Sequence, residues 1–183
     1  MSAFPTLVTP RLLLRQIIPS DAPALFANHS NAAAMLLFGS DPLTELAQAH
    51  TLIETFEAAR NWPNPGIRFA ITLKTQPDRM LGSCGLFKQN RAWHSAILGY
   101  DVALDVRGHG IGKEAVSAML DWAFVALKLN RIEALVHPEN IASMRLLTRL
   151  GFLREALQRE AGFWDGRYQD LVLMGLLQRD WQR

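Results

Sequence analysis

The sequence predicts an α/β fold, a mixed sheet flanked by about four helices. Three observations carry that expectation. Apolar runs of strand length recur between segments whose apolar residues repeat every three or four positions. The resulting order is strand, two helices, three strands, helix, strand, helix and two strands. A loop with three glycines at alternate positions, "RGHGIGK", lies where a strand hands over to a helix.

The elements follow in order. Residues 11–17, "RLLLRQI", form a short apolar run between Pro10 and Pro19 and read as a strand. Ser20 or Asp21 then offers a cap for a short helix in "PSDAPALFANHS". Over residues 44–60, Leu46, Ala49, Leu52, Ile53 and Phe56 recur at helical spacing, and "NWPNPG" ends that helix. Residues 67–73 and 80–87 read as a hairpin across the turn-rich "KTQPDR". Residues 95–104 are another strand-length run, after which the glycine loop opens a helix striped by Val116, Leu120, Ala123, Phe124 and Leu127. "RIEALVH" is a strand, and "NIASMRLLTRLG" is a helix closed by Gly151. "FLREALQRE" and "RYQDLVLMGLL" form a final strand pair across "GFWDG".

A chain of 183 residues fits one domain, 1–183, and can bury about 70% of its unfolded surface. Nineteen basic residues against seventeen acidic ones give a formal charge of +2 with no Lys/Arg run, so nucleic acid is not an expected partner. No apolar stretch reaches the roughly eighteen residues of a membrane span. The first residues lack a basic start followed by a long apolar run, so no signal peptide is read. Cys84 is the only cysteine, which excludes disulfide frameworks and fits a reducing, cytoplasmic location. In its apolar strand it reads as a small core residue. His29, His50, His94 and His137 are scattered without ligand spacing, so no metal is expected.

The glycine loop points to an anion. A helix N-terminus carries unpaired N–H donors and partial positive charge. Two familiar phosphate loops fail on the residues. The nucleotide P-loop needs glycine five positions before Gly112, where Arg107 stands, and Ser or Thr after Lys113, where Glu114 stands. The dinucleotide fingerprint needs glycine at 113. A flexible strand–helix turn is the plain alternative.

Read together, "VRGHGIGKEAVSAMLDWAF", "RIEALVHPENIASMRLLTRLGF" and "TPRLLLR" resemble the GNAT superfamily of N-acetyltransferases, closest to the Rim-type ribosomal-protein N-terminal acetyltransferases. The likeness spans about residues 9–181. It implies a mostly antiparallel central sheet splayed at the cofactor site. It also implies acetyl-coenzyme A as cosubstrate, direct attack by an amine in a ternary complex, and relatives that often pair as homodimers. The favoured acceptor is a protein N-terminal amine. A small-molecule amine (antibiotic or polyamine) and a non-catalytic acyl-coenzyme A-binding module are the alternatives.

The resemblance assigns residues as well. Arg107, Gly108, Gly110, Ile111, Gly112 and Lys113 would lie against the pyrophosphate, with His109 in the same loop able to touch a phosphate. Successive backbone amides in such a turn make an anion nest, and glycine permits positive φ and close approach. Val102 and Leu104 would pair with the pantetheine arm. Gly99 would mark a bulge at the splay, where a backbone N–H polarises the thioester carbonyl. Ser143 matches the position that protonates the departing thiolate, although a small helix-packing residue is the plain reading. Asn140 matches a cofactor-contacting asparagine and is equally a helix N-cap. Ile97 stands where many relatives carry a basic glutamate, and Met174 where a tyrosine is usual. Glu160 is the first candidate base and Asp101 the second; a solvated surface charge is the alternative for Glu160. Trp62 and Trp164 fall in predicted loops flanking the site.

Overall fold

The computed structural model describes residues 3–182. Its eight strands are β1 (Leu7–Val8), β2 (Leu12–Gln16), β3 (Ile67–Leu73), β4 (Gln76–Asn90), β5 (Ser95–Val102), β6 (Arg131–Val136), β7 (Leu153–Trp164) and β8 (Arg167–Leu177). They join in one sheet ordered β1-β2-β3-β4-β5-β6-β8-β7. Every pairing is antiparallel except β5 with β6.

Strand alternation decides which side chains meet which helices. Leu12 and Leu14, Phe69 and Ile71, Cys84 and Leu86, and Ala96 and Leu98 share one core with Met119, Leu120 and Ala123 of α4 (Ile111–Ala126) and Leu147 of α5 (Ile141–Arg149). The opposite face places Ile17, Ala70 and Met80 against Ala22 and Leu25 of α1 (Ala22–His29) and Ala49 and Ile53 of α3 (Leu46–Ala58). Each fully buried Leu, Phe or Met contributes about 1.5–3 kcal/mol relative to exposure, so both faces hold the sheet in place.

The feature that matters for function is where the sheet opens. β5 pairs with β6 only from Ser95↔Arg131 to Ile97↔Glu133. Beyond that rung β5 stays on β4 as far as Val102, while β6 stays on β8 as far as Val136. The two strands part in a V, as the resemblance implied.

Several boundaries differ from the sequence reading. Among the described residues there are five α-helices, of which the sequence reading missed α2 (Ala32–Phe38). Its cap, Asn31, accepts from the Ala34 amide at 2.9 Å, and Gly39 closes it at φ 102°. The signals were present, but seven apolar residues in a row show no polar face and hence no period. The β3–β4 loop shrinks to Lys74–Thr75, with Pro77 tolerated near the start of β4. The β7–β8 turn is only Asp165 and Gly166, at φ 54° and 67°. Asp-Gly with both φ positive is the pairing that a tight two-residue hairpin turn prefers. Gly99 marks no bulge toward β4: it pairs in register with Gly85. A Cβ there would stand 3.1 Å from the Phe87 ring, so the glycine makes room for packing. β5 ends at Val102, and Leu104 opens a 3-10 turn, Leu104–Val106.

Candidate active site

The V between β5 and β6 leads into a cleft of about 500 Å³. It runs from the glycine loop, past Tyr100, Asp101 and Val102, to α2 and one side of α5.

At one end the loop has the geometry of an anion nest. Gly108 and Gly110 sit in the left-handed region at φ 82° and 77°, where a side chain costs roughly 1–2 kcal/mol. Gly110 is the N-cap of α4 and has no side-chain cap, and the first helical amide bond is Glu114 N–H to Gly110 O at 3.0 Å. The amides of Ile111, Gly112 and Lys113 therefore lack intrahelical acceptors, in the position that favours an anion. Gly112 does something different from its two neighbours. A Cβ there would meet Leu146 Cδ1 and Val102 Cγ2, both at 3.3 Å, so it lets α4 press against α5 and β5.

Side chains brace this loop from behind. Arg107 Nε donates to Val102 O at 3.0 Å, and Arg11 Nη1 donates to His109 O at 3.0 Å. Arg11 is itself held by Glu114 at 2.6 Å, and Thr9 donates to the same carboxylate. Burial alone would raise the Glu114 carboxyl, but the Thr9 and Arg11 hydrogen bonds outweigh it and hold it below the ordinary carboxylate range. Sequence reading missed Arg11 because it lies about a hundred residues before the loop it supports.

Farther in, Tyr100 and Ser143 form a hydroxyl pair, Oη to Oγ at 2.7 Å. Burial pushes the Tyr100 hydroxyl up to about 12, against the opposing pull of the Ser143 hydrogen bond. Tyr100 therefore stays protonated near neutral pH. Sequence reading singled out Ser143 but not its partner. Strand alternation held the signal: Tyr100 shares a face with Ala96 and Leu98, toward α5. Asn140 caps α5, its Oδ1 accepting from the Ser143 amide at 3.1 Å. Its Nδ2 donates to Leu37 O at 3.1 Å, which ties α2 to α5. Both polar ends of Asn140 are thus engaged within the protein while the residue lines the cleft.

Opposite the hydroxyl pair stands a buried charged cluster. Asp101, 8% exposed, accepts through Oδ1 from Arg68 Nη2 at 2.9 Å and from the Ser83 hydroxyl. His29 Nε2 lies 3.5 Å from the same oxygen, too long for a sound hydrogen bond. Burial alone would raise the Asp101 carboxyl, but the contact with His29 and the charge of Arg68 outweigh it and hold it at about 2. Arg68 also lies over the Phe56 and Phe38 rings, at 5.2 and 5.6 Å.

Of the residues singled out from sequence, Val102, Arg107, Gly108, Gly110, Ile111, Gly112, Lys113, Asn140 and Ser143 all line the one cleft. Leu104 instead lines a smaller neighbouring cavity and is 56% exposed, because the strand has already ended. His109 lies outside the cleft lining, its Nδ1 3.0 Å from Arg107 O. Glu160 is not brought to the cleft. It sits exposed on β7 at a bulge, with φ 52° and its amide bonded to Asp170. Trp164 is the last residue of β7, not a loop residue, and is buried, its indole donating to Leu36 O at 3.0 Å. Trp62 is exposed. Cys84 is fully buried, and that burial pushes its thiol up to about 12, which leaves it inert.

No helix among the described residues is long and apolar enough to cross a membrane.

Comparison with known proteins places this geometry in a family. An uncharacterised N-acetyltransferase, p20, of Bacillus licheniformis is 34% identical over 176 residues, covering 96% of this chain and 98% of that protein. The ribosomal protein uS5-alanine N-acetyltransferase of Escherichia coli is 33% identical over 90 residues, 49% of this chain and 46% of that one. Among solved structures, Mycobacterium smegmatis RimJ in complex with CoA-disulfide superposes with a TM-score of 0.81 at 27% identity, covering 98% of this chain and 89% of that one. Spermidine N-acetyltransferase from Vibrio cholerae shares the fold, with a TM-score of 0.80 at 24% identity over 94% of this chain and 98% of that one. The family model for the acetyltransferase (GNAT) domain matches residues 11–153. With the splayed sheet, the glycine nest and that match in hand, the chain belongs to the GNAT acetyltransferases and is an acetyl-transferring enzyme.

Proposed function

We propose that this enzyme moves the acetyl group of acetyl-coenzyme A onto a protein N-terminal amine, by direct attack in a ternary complex. The carrying observation is that the glycine nest and the Tyr100–Ser143 pair open onto one cleft at the parting of β5 and β6. The free amides at the start of α4 suit a pyrophosphate. The edge of β5 as far as Val102, released from β6, offers backbone groups to a pantetheine amide.

In this reading the amine nitrogen attacks the thioester carbonyl carbon. The C–S bond then breaks, the thiolate takes a proton from the Tyr100–Ser143 pair, and the proton shed by the acylated nitrogen restores that pair by way of solvent. A free thiol has a pKa near 8.5, below the Tyr100 hydroxyl at about 12, so the pair serves as a relay that passes on the proton shed by the nitrogen and does not end the step ionised. An α-amine has a pKa of about 7.7–8.0 and a lysine amine about 10.4. Roughly a tenth of the former is neutral at pH 7, but under a thousandth of the latter. Asp101, held at about 2, is a poor proton acceptor at neutral pH, and Glu160 lies outside the cleft. A site without a strong base fits the α-amine.

The test is thiol release from acetyl-coenzyme A with Ser-, Ala- and Thr-starting peptides and with polyamines. Peptides are expected to be the better acceptors. Release with polyamines alone would establish the small-molecule reading. Tight coenzyme binding with no release for any amine would make the chain an acyl-coenzyme A-binding module.

A further inference from the structure

Among the described residues, three buried polar atoms have no hydrogen-bond partner in the protein: Asn28 Nδ2, His29 Nε2 and Asp101 Oδ2. Unpaired buried polar atoms are uncommon, and each calls for an explanation such as a water or a ligand. Their arrangement is specific. Arg68, Ser83 and His29 all crowd onto Oδ1 of Asp101 and leave Oδ2 with nothing. The carboxylate is therefore held by Arg68 and Ser83, with His29 beside it, while one oxygen stays unpaired. Asp101 is more than nine-tenths buried and lines the cleft beside Tyr100. Asn28, in the last turn of α1, lines the same cleft. The wall of the cleft thus offers one unpaired acceptor, which is anionic, and one unpaired neutral donor.

We propose that Asp101 and Asn28 form an acceptor subsite for the first residue of a peptide chain. Asp101 Oδ2 accepts an N–H of the α-amine, and Asn28 Nδ2 donates to the carbonyl oxygen of the same residue. An N-terminal residue carries that amine and that carbonyl on one α-carbon, so a single molecule satisfies both orphans. A polyamine satisfies only Asp101 and leaves the asparagine donor buried and unpaired. Sites built to bond a polar group discriminate strongly against a ligand that lacks it. The subsite rests on the peptide-acceptor reading above and narrows it to recognition of the first residue. Asp101 acts here as a positioning residue, since its carboxylate is held by Arg68 and Ser83.

The experiment uses binding, so that it stands apart from catalysis. The enzyme saturated with coenzyme A is titrated calorimetrically with the tripeptide amide Ser-Ala-Ala-NH2 and, separately, with spermidine. Asn28→Leu is expected to weaken tripeptide affinity about tenfold, the scale of one lost hydrogen bond plus an unmet carbonyl. Affinity for spermidine and for coenzyme A should stay within twofold. Asp101→Asn should weaken tripeptide and spermidine alike; if that variant fails to fold, the Asn28→Leu comparison decides alone. Unchanged tripeptide affinity in Asn28→Leu, an equal loss for spermidine, or tripeptide binding absent from the wild type would each overturn the subsite. If binding behaves as expected but no acetyl is transferred to any peptide, the subsite stands and the proposed transfer falls.

Discussion

Replacing Arg68 with methionine tests the buried cluster directly. Methionine keeps an apolar stem near the Phe38 and Phe56 rings but removes the cation 2.9 Å from Asp101. The two side chains are 10% and 6% exposed, so solvent screens the pair little. Removing one partner of such a buried pair costs about 3–5 kcal/mol, because the other charge is left uncompensated. For a chain of this size that is a fall in Tm of about 6–20 °C. A pH signature should accompany it. The folded carboxyl is held at about 2 against an ordinary 3.8, so its charged form contributes about 2 kcal/mol of stability in the wild type. With a folded pKa below the unfolded one, that contribution is complete above about pH 4 and is lost as pH falls through about 2. Without Arg68 the lone carboxyl protonates at higher pH and sheds its penalty. Urea unfolding should therefore show a smaller gap between variant and wild type at pH 4 than at pH 7. Adding Asp101→Asn to Arg68→Met should recover part of the loss. A gap that does not change with pH, together with strictly additive single variants, would refute the pairing argument.

Other expectations concern the site itself. Ser143→Ala and Tyr100→Phe should each lower kcat for thiol release more than they change coenzyme affinity, and equal losses in both would make the pair a binding element. Gly110→Val, at φ 77°, should cost about 1–2 kcal/mol of stability and raise the KM for acetyl-coenzyme A at least tenfold; an unaltered KM would remove the loop from the site. Asn140→Ala removes both the α5 cap and the tie to α2. It should cost about 0.5–2 kcal/mol, seen as faster amide exchange in α2, and unchanged exchange there would show the tie to be idle. Glu160→Gln should leave kcat unaltered across pH 6–9, whereas a large fall would restore it as the base.

How much of this was legible in the sequence depended on how local the signal was. The glycine loop could be read because its glycines, the strand before it and the helix after it are contiguous. Asn140 and Ser143 were legible for the same reason, three residues apart on one helix. The Asp101 cluster was not, because Arg68, Ser83, His29 and Asp101 come from four separate elements and meet only after the sheet has formed. α2 escaped because a uniformly apolar segment has no period to detect, even with Asn31 and Gly39 at its ends. The search for a base near Glu160 assumed an even strand. Register shifts between Gln158 and Gly162 spoil the alternation on which such an offset relies.

The small helix over the cleft carries one more consequence. Its carbonyls at Leu36 and Leu37 are held by Trp164 and Asn140, 128 and 103 residues away along the chain. The Asn140 bond needs α5, and the Trp164 bond cannot form until the closing hairpin exists. During synthesis from the N-terminus, the glycine nest and the Asn140 tie are in place while α2 still lacks its Trp164 fastening and β6 its partner β8. The covering of the cleft is therefore among the last features that the emerging chain completes, and a protein cut short before residue 164 would keep the nest and the Asn140 tie but hold α2 by one bond instead of two.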